Sequence, residues 1–502
     1  MKILKFLSIF FCVASSALAQ QAPWARPDIP ISSRDRVYTA DQTSNTVSVI
    51  DPSTNRMLGV IKLGDPVPGS LSPLYKGQLL VHGLGYSPDS KTLAVVSIGS
   101  NSVTLIDTTT NEVKGTVYVG RSPHEAFFTP DGRELWVTVR GENYVSVIDS
   151  AQLKEVRRIQ MANGPGMTTF GPDGHYAFVC SSFTPELTVV HTRSHQVLKR
   201  LPQVSPFCPN IAVSPESDEV WITLKDSGKV QVFSAKPPFE QKALLETGPI
   251  TNHVNFVNNR NGKFAYVTVG GRDQVKAYRR GAVPELVATI PVGSLPHGVW
   301  PSGDGSRIYV GLENDNMVAA IDTLTNQVIA NIPVGETPQA LVYVPNAVPV
   351  GSPSGNLSAL FQGWDTTTLR LQSADPTFPN ANASVAVNSL GLLDLVQIAA
   401  VGLAPSSQYQ VYLADVDHAP FGELVPLATL RTNADGAGIV QTVGPLKSLS
   451  LESLSSSTAT DAAVEPRRFL VVTELNYPSR VVLQQATSRT ATSTGRQIFD
   501  EA

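Results

Sequence analysis

The 502-residue chain is short of several things, and each scarcity excludes something. It has three cysteines and no Cys-x-x-Cys-His, so covalent c-type haem is excluded. A phosphate loop, a dinucleotide fingerprint, a Gly-x-Ser-x-Gly elbow and a His-Glu-x-x-His zinc motif are also missing. Charge is sparse at 16%, balanced at 38 basic against 42 acidic residues, and nowhere gathered into a basic run, so no nucleic-acid partner is expected. With glycine and proline at 37 each, this composition fits a turn-rich all-β chain.

Long apolar runs are confined to one place. Lys2 and Lys5 supply a positive end, Ile3 to Val13 is mostly apolar, and Ala17-Leu18-Ala19 follows as a small-x-small site. This is the pattern of a secretory signal over residues 1–19, cleaved after Ala19 and too short to remain as a membrane span. The mature chain is therefore expected in the periplasm or outside the cell, without a transmembrane segment. Only Cys180 and Cys208 would survive cleavage, and an oxidising compartment favours a disulfide between them. Two free thiols, or Cys208 as a metal ligand, are the alternatives.

What the chain does have is a repeat. His82, His124, Met167, Asn210, His253, His297 and Gln339 stand at intervals of 42, 43, 43, 43, 44 and 42 residues, a period in the range of propeller blades. Each unit carries four short strand-like runs. Around His124 these are Glu125 to Thr129, a Pro-Asp-Gly turn, Leu135 to Val139, Tyr144 to Asp149, then Glu155 to Met161. The segment from Arg36 to Leu63 supplies second, third and fourth strands with no first, and Gln339 to Val344 supplies a first with no successors. Joined, they complete a seventh blade and close the ring.

Leu135-Trp-Val-Thr-Val139, Ala265-Tyr-Val-Thr-Val269 and Ile308-Tyr-Val310, with Pro123-His124 and Pro296-His297, resemble the YVTN β-propeller family over residues 36 to 345. The resemblance implies a seven-bladed propeller. It implies no single activity, because the family includes binding proteins and lactonase-like members. After a linker at 346–362, strand-like runs over 363–486 predict a smaller β-sandwich, and Gly402-Leu-Ala-Pro405 before Tyr409 looks like a fibronectin-like or transthyretin-like domain. Ser448 to Thr460 reads as a mobile loop and 487–502 as a disordered tail.

First strands line a propeller's channel, so the column forms a ring at one mouth, with the histidines in one arc: His253, His297, Gln339, His82, His124. Met167 and Cys208 face that arc. Imidazoles there can bind a transition metal, with His82, His124, His253, His297 and Met167 as candidate ligands and sulfur favouring copper. Arg121, Arg140 and Arg272, with Glu125 and Gln339, can instead hold an anion or polarise a lactone carbonyl. Lys225 and Glu313 belong to the same mouth, and the long loop Asp65 to Val81 lies over it. Three functions follow: a binding or scaffold protein holding a small molecule or protein partner at this mouth, a metal-dependent (copper-like) oxidoreductase, or a lactonase-like hydrolase.

Overall fold

The computed structural model describes residues 30–64, 79–350, 355–360, 366–389, 394–444 and 469–485. The expected leader, the loop over 65–78, the serine-rich loop and the C-terminal tail lie outside the described residues.

Seven four-stranded antiparallel sheets are arranged as blades. Their innermost strands run Val81–Tyr86, Pro123–Phe128, Pro165–Phe170, Ile211–Val213, Thr251–Asn259, Pro296–Pro301 and Pro338–Val344. Each packs on the next, and the last on the first. Every sheet is sandwiched between two others, so inner strands are buried throughout, as in Pro123–Phe128. Outermost strands turn one face to solvent, and most keep a single buried residue, such as Ile159 in Lys154–Gln160. Burying one such side chain stabilises the blade by roughly 1.5–3 kcal/mol.

Closure is as the strand inventory predicts. Pro338–Val344 pairs with Arg36–Asp41, with Arg36 opposite Val344 and Val37 opposite Tyr343, so both ends of the repeat share one sheet. Turn carboxylates have a structural role: Asp107 Oδ1 accepts the Thr109 and Thr110 N–H groups, and Asn111 sits at φ +60°.

The threonine of the Val-Thr-Val and Ile-Thr-Leu runs has a specific task. Thr138 donates to the Gly166 carbonyl (3.0 Å), Thr223 to Asn252 (2.6 Å) and Thr268 to His297 (2.7 Å). Each hydroxyl ties a second strand to the innermost strand of the following blade, supplying a partner to a buried carbonyl.

The C-terminal strands form one continuous eight-stranded antiparallel sheet in place of two separate ones. Its order is Leu424–Arg431, Gln408–Ala414, Phe469–Glu474, Tyr477–Gln485, Thr367–Ser373, Asn382–Ser389, Asp394–Val401, Gly438–Gly444. The two end strands lie against each other, giving a barrel-like form around Leu371, Val385, Ile398, Val411 and Val472.

The connecting chain is pinned to the propeller. Val348 N–H donates to Arg34, Asn111 Nδ2 to Gly355, and Ser358 exchanges both backbone hydrogen bonds with Val60 (2.8 and 2.9 Å). Gly59 permits this: its φ is +148°, and a Cβ there would lie 2.8 Å from the Ser358 oxygen. The path delivers the second domain to the mouth that bears the column. Ile250 and Leu295 pack on Ala399 and Ala437, Asn314 Nδ2 donates to Ser384 Oγ (2.9 Å), and Asn388 Nδ2 to Thr337 Oγ1 (3.0 Å).

Candidate functional site

Four of the column residues sit at the heads of innermost strands, set there by a repeated backbone device. Leu80, Ser122, Leu295 and Thr337, two residues before His82, His124, His297 and Gln339, have φ between +50° and +57°. The N–H of each is held at 2.9 Å by a turn side chain of the preceding blade: Asn45, Asn101, Asp273 and Asn316 respectively. A left-handed non-glycine residue costs roughly 1–2 kcal/mol, and these bonds offset it. The sequence signal for this device is an Asn or Asp just before the third strand of each of these four preceding blades, which the spacing of the column alone does not reveal.

Register shifts then follow at His82, His124 and His297, between Val81 and Leu84, Pro123 and Ala126, and Pro296 and Val299. Such bulges re-aim side chains. At His124 the bulge brings Glu125, its neighbour in sequence, to the same group of side chains. Glu125 reaches His82 because residue 83 is glycine: a Cβ on Gly83 would stand 2.6 Å from Glu125 Oε2.

The four histidines form two close pairs with their rings tilted by 44° and 48°. His82 and His124 have ring centroids 4.3 Å apart, His253 and His297 4.4 Å, and His82 to His297 spans 6.0 Å. Each pair has a carboxylate: Glu125 Oε1 is 3.9 Å from His82 Nδ1, and Glu313 Oε1 is 3.9 Å from His297 Nε2. Hydrogen bonds fix two tautomers. His124 Nδ1 lies 2.8 Å from the Gly166 carbonyl and must donate, leaving a lone pair on Nε2. Asn210 Oδ1 accepts the Val254 N–H (2.9 Å), so its Nδ2 donates to His253 Nδ1 (3.3 Å) and the His253 proton sits on Nε2.

Burial governs the electrostatics. It pushes all four histidines well below their ordinary range, so they are neutral, with Arg140 or Lys225 adding to the fall at each ring. It raises the Glu125 carboxyl to about 8, against the Leu84 N–H that favours the anion, and raises Glu313, against Lys225, Gln397 and Gln339. Arg140 is lowered to about 10 and lies 5.0 Å over the Phe207 ring. Among the described residues, Glu125 Oε1, His82 Nδ1, His253 Nε2 and Arg140 Nε are buried with no hydrogen-bond partner. Each such group costs on the order of 1–3 kcal/mol.

Not every expected residue belongs here. Arg121 is exposed, its guanidinium bound to the Gly141 carbonyl (2.6 Å), and Arg272 is exposed in a cleft beside the second domain. Both leave the site because short turns carry them outward. Met167 is buried, but its sulfur accepts the Asn210 Nδ2–H (3.1 Å). Cys180 and Cys208 are joined as a disulfide, Cα atoms 6.0 Å apart, which removes Cys208 as a ligand. One contributor had no signal in the repeat at all: Gln397 of the second domain donates to Glu313 Oε2 (2.7 Å) and roofs part of the mouth.

Fold and site together define a seven-bladed propeller with an enclosed, polar, histidine-lined channel mouth. The chain belongs to the lactonase seven-bladed β-propeller family, whose model matches residues 77–327, half its length. No curated protein sequence matches it. Solved structures with a similar fold include a functionally unknown protein from Desulfotomaculum acetoxidans (12% identity, 61% of this chain and 98% of that one, TM-score 0.51). Hydrazine synthase of Kuenenia stuttgartiensis (20%, 58% and 94%, 0.47) and the periplasmic gluconolactonase PpgL of Pseudomonas aeruginosa (18%, 62% and 99%, 0.49) are also similar. At these identities the likeness concerns the fold alone.

Proposed function

We propose that the channel mouth hydrolyses a lactone. The observation that carries this is the set of buried, unpartnered atoms of opposite kind at one mouth: donors on Arg140 and His253, acceptors on Glu125 and His82. Water is held on the side of His82, His124 and Glu125. The carbonyl faces Arg140, Lys225 and the His253 Nε2–H, which receive the charge that develops on its oxygen. Water oxygen bonds to the carbonyl carbon, the ring C–O bond breaks, and the proton lost by water ends on the released alkoxide, giving a hydroxy acid. Membership of a family described by lactonase activity supports this choice.

Two other functions fit less well. The second domain occupies part of the mouth, which favours a small ligand over a protein partner. A copper-like oxidoreductase loses its sulfur donors, Cys208 to the disulfide and Met167 to Asn210. We also propose that the chain is exported, from its N-terminal pattern and the disulfide.

The test is turnover of a panel of γ- and δ-lactones by the purified chain. Arg140→Met is expected to lower kcat by roughly 10²–10³, the cost of one oxyanion donor. No rate above buffer across the panel refutes the proposal.

A further inference from the structure

The three side chains assigned to the water have a second property. His82, His124 and Glu125 each offer one ligand atom, and these atoms lie within 4.8 Å of one another, all buried. We propose that they bind one divalent transition-metal ion of the zinc class. The inference deepens the hydrolytic proposal by naming what holds the water, and it rests on that proposal for the ion's role only, not for its binding.

Four observations converge. Two imidazoles and one carboxylate, with a position left for water, are a donor set that suits zinc. Ligand bonds of 2.0–2.2 Å require each atom to move inward by less than about 1 Å. The unsatisfied Nδ1 of His82 and Oε1 of Glu125 are donor atoms to an ion, and otherwise stay buried without partners among the described residues. Supporting groups are in place: the Gly166 carbonyl fixes His124 with its Nε2 free, and the Leu84 N–H anchors the Glu125 carboxylate. A carbonyl or N–H behind each ligand is how metal sites orient their first ring of atoms.

The neighbourhood also sets what completes the site. Arg140 and Lys225 balance Glu125 and Glu313 when all four are ionised, so a divalent ion leaves surplus positive charge. The remaining position is therefore suited to an anionic ligand. His253 and His297 form a second pair without a matching three-atom group among the described residues, so one ion is expected.

Chelator-treated full chain is titrated with Co²⁺, read by its visible d–d absorption and by elemental analysis after desalting, with Zn²⁺ as competitor. One equivalent is expected. His124→Ala and the near-isosteric Glu125→Gln should each weaken binding beyond the roughly 10–100-fold that loss of a supporting partner costs, while His418→Ala, at an exposed site, should not. Folding of each variant is checked by circular dichroism. Absence of cobalt bands in the unmodified chain overturns the site, as does equal affinity in folded Glu125→Gln. Lactone turnover by chain shown to hold no ion overturns the ion's role in holding the water and leaves hydrolysis standing. Stoichiometric metal without turnover does the reverse.

Discussion

Asp41 lies at the seam where the two chain ends meet, fully buried, with its Oδ2 accepting the Thr46 (2.8 Å) and Ser48 (2.7 Å) hydroxyls. Burial raises its carboxyl to about 8, more than those hydrogen bonds lower it. The folded chain thus keeps this proton up to about pH 8, whereas the unfolded chain releases it near pH 4. Between those values the native state binds more protons than the unfolded one, so stability falls as pH rises, by up to about 1.4 kcal/mol per unit. Asp41→Asn keeps an acceptor for both hydroxyls and cannot ionise. Relative to the unmodified chain it should gain roughly 3 kcal/mol between pH 5 and pH 7. Urea unfolding of both proteins at pH 5, 6 and 7, followed by tryptophan fluorescence, gives the difference directly, because all other ionisable groups cancel. A difference that stays constant across those pH values refutes the assignment of a protonated carboxyl at the seam.

Two further outcomes test the architecture. Thr268→Val removes the donor to His297 (2.7 Å) and the acceptor of the His253 N–H (2.8 Å), leaving two buried backbone groups unpaired. A loss of roughly 2 kcal/mol is expected in thermal or chemical unfolding, and an unchanged midpoint would show the stitch to be idle. Gly59→Ala sets a Cβ against the Ser358 oxygen, so the linker should lift and protease cleavage within residues 346–360 should accelerate. Equal cleavage rates in limited proteolysis argue against a pinned linker.

Six blades were legible because a blade is a local object whose four strands and three turns fall within about 43 consecutive residues and recur, and the seventh from the pieces left at the two ends of the repeat. The histidine column was legible for the same reason, since each residue repeats its own neighbour's place. What periodicity does not encode is direction. Arg121 and Arg140 both stand at turns near the mouth, yet one binds the Gly141 carbonyl at the surface and the other is packed over Phe207. Nor does it encode what arrives from elsewhere in the chain. Gln397 and Asn388 follow no repeat, and only the path of the linker brings them to Glu313 and Thr337. Glu125 was named as a candidate, but its reach to His82 depends on a glycine in a different blade.

The pairing of Val60 with Ser358 links the second domain to ring closure. Ser358 reaches Val60 of the outer strand Arg56–Lys62 from the end of Pro338–Val344, which joins Arg36–Asp41 in a contact between chain segments some 300 residues apart. The linker to the second domain is thus held on the blade that both chain ends complete. An incomplete ring leaves sheet edges open to other chains, and the Gln397 contact over part of the mouth belongs to the closed ring.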